Sequence, residues 1–221
     1  ESGRVIYDNI KRAICYLLTA AVASVITIAL IIIYDGTLAM TPLQLLYLNL
    51  IMHIFPGLGI VLQGKAPGIM NRPPRDPAEN LLGKFELTQI IMQSSIVSLA
   101  VLGAILVQKI LTGTGDMTTT IAFTTISLAL LYQAWAWLFI APPGEAGYEK
   151  APVNKFMFAM MAISYLLIPI ALYIPAFQSV LGTVPITADG LLIVFSASTA
   201  SIMVSTLFNF IYNSIARLKR G

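Results

Sequence analysis

Charge is scarce in this chain. Of its 221 residues only 10% are Asp, Glu, Lys or Arg, while 57% are hydrophobic and the mean hydropathy is +0.84. An ordinary soluble domain carries about 25% charged residues, so lipid is the main solvent this composition suits. Cysteine is nearly absent too. Cys15 is the only one and lies in an apolar run, which excludes a disulfide framework and a cysteine-based metal motif and leaves it as a small buried hydrophobe. There is no Gly-rich phosphate loop, no zinc-ligand spacing and no nucleophile elbow, so we assign no catalytic residue and expect neither a bound metal nor covalent catalysis from this chain alone. No initiator Met or signal peptide opens it, and Glu1 reads as an internal residue of a longer protein. The net charge of +3 is not gathered on one amphipathic face, which excludes a nucleic-acid partner.

Long apolar runs are what the chain does have. A spanning helix needs about 20 predominantly apolar residues, and six such runs occur, at about 13–34, 43–63, 85–108, 119–140, 156–174 and 189–212. The expected fold is all-α, a polytopic bundle of six transmembrane helices in the lipid bilayer. Residues 1–12 are polar but place Val5, Ile6 and Ile10 at helical spacing, as a cytoplasmic extension of the first span. Twelve of the thirteen Lys and Arg residues fall on one side of this arrangement, with Lys109 alone on the other. The positive-inside rule then puts both termini in the cytoplasm.

Between the spans, Asp35, Gly36 and Thr37 turn the chain and Pro42 opens the next helix, where a missing N–H is tolerated. Residues 71–77, Asn-Arg-Pro-Pro-Arg-Asp-Pro, are too rich in proline for a helix and form an extended loop. Pro175 to Asp189 closes the last hairpin. The last span repeats Ala197, Ser201 and Ser205 at four-residue intervals, a stripe that lets a neighbour approach closely. Trp135, Trp137, Tyr34 and Tyr173 lie near span ends, as interfacial anchors do. No internal repeat of the kind secondary transporters carry is present.

None of the ten acidic residues lies in the central part of an apolar run. Carboxylates inside a membrane are costly and mark ion sites or proton relays; here the interior polar groups are neutral, among them Ser24 and Thr27, Asn49 and His53, Gln93, Thr124, Ser127 and Gln133. Asn49 and His53 stand one turn apart on a common helical face with Met52 beside them. Pro56 cannot donate to the Met52 carbonyl and its ring pushes that carbonyl away, so the helix should bend or unwind there, aided by Gly57 and Gly59. Two readings are open: a kinked helix whose Asn and His bond to neighbours, or freed carbonyls beside polar side chains forming part of a cation pathway.

Several stretches resemble the C-terminal membrane half of P-type cation-transporting ATPases of the calcium-pump class. Gly3 to Lys11 looks like the stalk leading into that family's fifth helix, Thr41 to Leu50 resembles its sixth helix, and Met70 to Pro77 resembles the following loop. Tyr173-Ile174-Pro175 with Gly182-Thr183-Val184-Pro185 is similar to the loop between its ninth and tenth helices. The resemblance implies the membrane part of an ATP-driven pump in a cell membrane, whose partners are the transported cation and the remaining domains of the same pump, where Mg and ATP would act. It also implies that Arg72, Pro73, Pro74, Arg75 and Asp76 couple those domains to the helices. The departures are informative. Where calcium-transporting relatives offer Asn and Glu on the fifth helix this chain has Ala21 and Ser24; where they offer Asn, Thr and Asp on the sixth it has Asn49, Met52 and His53; and Leu130 stands at an eighth-helix Glu or Gln. A hard divalent ion prefers several oxygens, usually carboxylates. The expectation is therefore a monovalent-cation or proton pump with a pathway of Asn49, His53, Met52, Ser24 and Thr27, or else a pump-like scaffold or regulator that transports nothing.

Overall fold

The structure, a computed structural model, describes residues 2–64, 81–112, 117–140 and 153–218. The proline-arginine loop, with Arg72, Pro73, Pro74, Arg75 and Asp76, lies outside the described residues. Among the described residues all regular structure is helical: α1 (Ser2–Asp35), α2 (Pro42–Leu46), a π segment (Tyr47–Met52), α3 (Ile54–Val61), α4 (Lys84–Thr112), α5 (Thr118–Phe139), α6 (Lys155–Tyr173), α7 (Pro175–Leu181) and α8 (Ala188–Leu218). Six helical passages are long and apolar enough to cross a membrane, with α2, the π segment and α3 together making the second. The protein is a multi-pass integral membrane bundle.

Residues 2–12 and the first apolar run form one uninterrupted helix, α1. At its far end Gly36 takes a positive φ of 67°, a conformation that costs glycine nothing. Thr41 and Gln44 then form a capping box with Pro42 in the first turn, which satisfies the first free amides of α2. The last hairpin adds an element that its sequence had marked only as a connection. Pro175 starts α7, and Gly182, at φ 66°, ends it in the left-handed conformation.

The middle of the bundle is α5. Buried residues make up 83% of its apolar stretch, against 28% in α8, and it packs against α4, α8, α1, α3 and α6. Apart from the carboxamide of Gln133 and the indoles of Trp135 and Trp137, its faces are apolar or hydroxylated, as an enclosed helix requires. Small residues bring α1 and α4 together. Ser94 Oγ donates to the Thr19 carbonyl at 3.0 Å, Ser98 Oγ reaches the Ala23 carbonyl at 3.0 Å, and Thr27 Oγ1 bonds Ser98 Oγ at 3.1 Å. Such interhelical bonds contribute about 0.6 kcal/mol each in a membrane. Ion pairs hold the same two helices near both ends: Lys11 to Glu86 at 2.6 Å and Lys109 to Asp35 at 2.6 Å. Glu86 also accepts from Gly83 N at 2.8 Å, so one carboxylate caps the start of α4 and binds α1.

The small stripe on α8 does pack. Ser201 and Ser205 are buried with Ser198 beside them, and Ser198 Oγ donates to the Thr125 carbonyl of α5 at 3.2 Å. One expectation needs correcting. Trp137 is only 2% exposed and is no interfacial anchor, because its side of α5 is enclosed by other helices; Trp135 packs on Phe158, 5.3 Å between centroids.

Candidate functional site

The second passage is where the regular helix fails. His53 N bonds the Leu48 carbonyl at 3.0 Å, five residues back, and the wide turn covers Tyr47–Met52 before an ordinary helix resumes at Ile54. Single π turns of this kind concentrate at functional sites. Pro56 falls in the first turn of α3, where its missing donor is least costly. The local sequence thus widens the helix by a residue per turn and does not unwind it.

That extra residue separates two side chains expected on one face. Asn49 is exposed, its Nδ2 turned back to the Leu45 carbonyl at 3.0 Å. His53 is 1% exposed and points into the bundle. The common face that regular helical spacing predicts is not formed.

The Met52 carbonyl, deprived of its donor by Pro56, is not left free either. Ser164 Oγ of α6 lies 3.2 Å from it and 3.1 Å from the Met160 carbonyl of its own helix, so one hydroxyl proton is shared between the two. Ser24 and Thr27 are buried on α1, but Ser24 Oγ donates to its own helix at Ala20 O, 2.9 Å, and Thr27 faces α4 through Ser98. Gly57 and Gly59 sit in the regular part of α3: a Cβ at Gly57 would meet Leu17 at 3.7 Å, an ordinary contact, whereas one at Gly59 would meet Met157 Sδ at 2.5 Å, so packing demands a small residue only at Gly59.

What His53 does meet is Tyr16, a residue that nothing in the sequence pattern singles out. Their rings are perpendicular, 6.0 Å between centroids. Tyr16 is fully buried, and neither its hydroxyl nor either imidazole nitrogen has a hydrogen-bond partner. Buried polar groups are nearly always satisfied, and here three atoms of one ring pair are not. A hydroxyl near the start of the first apolar run is the weak sequence signal that Tyr16 carries. At the other end of α3, Asn9 Nδ2 donates to the carbonyls of Val61 at 3.2 Å and Gln63 at 2.8 Å, while Gln63 Oε1 accepts from Asn154 N at 3.3 Å. The end of α3 is thereby held between α1 and the start of α6.

Residues 37–211 match the family model described as cation transporting ATPase, C-terminus. The chain belongs to that family. Among similar members of this cation-transporting ATPase family, calcium-transporting ATPase 1 of Lactococcus lactis is 28% identical over 166 residues, 75% of this chain and 18% of the relative. A calcium-transporting ATPase of Bacillus subtilis is 26% identical over 200 residues, 90% of this chain and 22% of the relative. One from Listeria monocytogenes is 31% identical over 135 residues, 61% and 15% respectively. The chain spans about a fifth of the length of the curated relatives it matches. Among the described residues no three His, Cys, Asp or Glu side chains gather in a way that could hold a metal ion.

Proposed function

We propose that this chain is the membrane part of an ATP-driven cation pump, with the termini side cytoplasmic and the membrane that of the cell surface. Family membership supports the pump, and the one-sided distribution of Lys and Arg supports the orientation. ATP with Mg would act in domains outside this segment, joined to it through α1 and through the loop holding Arg72, Pro73, Pro74, Arg75 and Asp76.

The cargo is a monovalent cation, the proton included. The observation that carries this is the neutral interior. Of the described acids, Asp8 lies in the polar extension of α1 before the apolar run, and Asp35, Glu86 and Asp189 stand at helix ends, Asp35 and Glu86 bound to lysines, while the broken second passage presents only an imidazole, a phenol and carboxamides. A divalent ion stripped of water needs anionic oxygens; a singly charged ion needs fewer. His53 and Tyr16 form the buried station and Asn49 the exposed approach. Stimulation of ATP hydrolysis in the full-length protein, measured across Na+, K+, H+, Mg2+ and Ca2+, tests the reading. Stimulation by monovalent ions or acid is expected, and stimulation by calcium alone overturns it.

A second reading, a pump-like scaffold without transport, is favoured by one specific fact: Ser24 is bonded within its own helix, and Thr27 and the Met52 carbonyl are engaged by neighbouring helices. Phosphoenzyme formed from ATP by the full-length protein separates the two, since a scaffold forms none.

A further inference from the structure

A second group of orphan polar atoms lies away from His53, where α4, α5 and α8 pack mutually. Gln133 Nε2 of α5 donates to Ser205 Oγ of α8 at 2.7 Å, and Gln93 Nε2 of α4 donates to Gln89 Oε1 at 3.2 Å. Gln89, Gln93, Gln133 and Ser205 are at most 1% exposed. Three oxygens lack any partner: Gln93 Oε1, Gln133 Oε1 and Asn209 Oδ1.

Helical geometry puts Gln93 and Ser205 at one level, with Gln89 and Asn209 about one turn nearer the contact of Phe85 with Tyr212. The Phe85 and Tyr212 rings touch across α4 and α8, 5.7 Å between centroids. Gln93 lies eight residues along α4 from that contact and Ser205 seven residues back along α8; at 1.5 Å per residue both stand roughly 11 Å deeper. Their faces agree as well. Ser94 and Ser98 look toward α1, to which they bond, whereas Phe85 looks toward α8. At about 100° per residue, Gln89 and Gln93 fall on the flank between these directions, away from the α1 seam. Asn209 is one turn from Ser205 on α8.

The unpartnered atoms are all acceptors. Carboxamide oxygens converging in a dry interior can replace the hydration shell of an ion, as backbone carbonyls do in ion filters. They carry no formal charge, so a divalent ion is poorly matched. Glu86, one turn nearer the termini side on α4, is already neutralised by Lys11. We propose that Gln89, Gln93, Gln133, Ser205 and Asn209 form a binding site for one alkali-metal cation that locks α4, α5 and α8 together. The site is separate from His53 and does not depend on the pumping reading.

Equilibrium binding of radioactive Rb+ to the purified full-length protein in micelles, at constant ionic strength with choline as the replacing ion, tests this. Thermal unfolding with Na+, Rb+ or choline provides a second readout. Wild type is expected to bind Rb+ and to unfold at a higher temperature in Rb+ or Na+ than in choline. Gln93→Leu and Gln133→Leu should lose one Rb+ per chain, or bind it at least about tenfold more weakly, since hydrogen bonds and similar contacts to a charge are individually strong. They should also lose the alkali-dependent shift, while Thr206→Ala, at an exposed position of α8 whose hydroxyl bonds its own helix, keeps it. Should a leucine variant fail to fold, Ser205→Ala and Gln133→Met carry the same expectation. Rb+ binding unchanged in the variants, or no alkali-dependent stabilisation of wild type, overturns the proposal and leaves water as the occupant.

Discussion

The Ser164 hydroxyl of α6 stands 3.2 Å from the Met52 carbonyl, the group that Pro56 leaves without a helical donor. A defect made by one helix is thus repaired in part by another, since the Ser164 hydroxyl is shared with the Met160 carbonyl of its own helix at 3.1 Å, and the repair ties the π segment to α6. Ser164→Ala removes the repair. Interhelical bonds in membranes contribute about 0.6–2 kcal/mol, so a loss of that size is expected in unfolding of the full-length protein in micelles. If the freed carbonyl then joins an ion pathway, the same variant shifts the cation concentration for half-maximal ATPase stimulation; if its only role is packing, that concentration stays put while stability falls.

Tyr16 and His53 make a sharper pair. Because the Tyr16 hydroxyl has no partner, Tyr16→Phe removes a buried polar group without breaking a bond and should leave stability unchanged or raise it. On the proposed function it still lowers transport, by about tenfold if the hydroxyl helps hold the ion at a cost of ~1.4 kcal/mol. His53→Ala should lower transport further and flatten its pH dependence. Flux into proteoliposomes at several pH values measures both effects, and a double variant no worse than His53→Ala alone shows that the two side chains act at one station.

Asn9 offers a test of coupling. Its carboxamide, on the stretch of α1 before the apolar run, holds the carbonyls that end α3. Asn9→Ala leaves these partly buried carbonyls short of a donor, with an expected cost of about 1–3 kcal/mol. If α1 moves α3 during the pump cycle, the ions moved per ATP hydrolysed decline in this variant while ATP hydrolysis itself persists. An unchanged ratio makes Asn9 a brace and nothing more.

The spans were legible because length and apolarity suffice to define a membrane helix, and the four-residue stripe through Ser201 and Ser205 signalled close packing directly. The π segment was not. Regular spacing puts Asn49 and His53 on one face; the wide turn that separates them involves Ser164, whose meeting with Met52 no local pattern encodes. Trp137 misled for a related reason: its place near a span end suggested an interface, but the enclosure of α5 by other helices is a tertiary fact. Tyr16 escaped notice because one hydroxyl in an apolar run is ordinary until its neighbour proves to be a buried imidazole.

Gly59 tests whether the packing of α3 on α6 needs a bare backbone. A Cβ there would lie 2.5 Å from Met157 Sδ and 3.4 Å from the Met157 backbone, so the obstacle is chiefly a flexible thioether, with the main chain of α6 just behind it. Gly59→Ala is therefore expected to cost little once the Met157 side chain moves aside, whereas Gly59→Val forces the helices apart, at the ~1–3 kcal/mol typical of overpacking. Met157→Ala should relieve Gly59→Ala fully and Gly59→Val only in part, because the main chain of α6 still stands in the way of the larger side chain. Unfolding midpoints of the single and double variants decide the matter: equal rescue of both would mean that the side chain alone, and not the approach of the α6 backbone, demands glycine at this position.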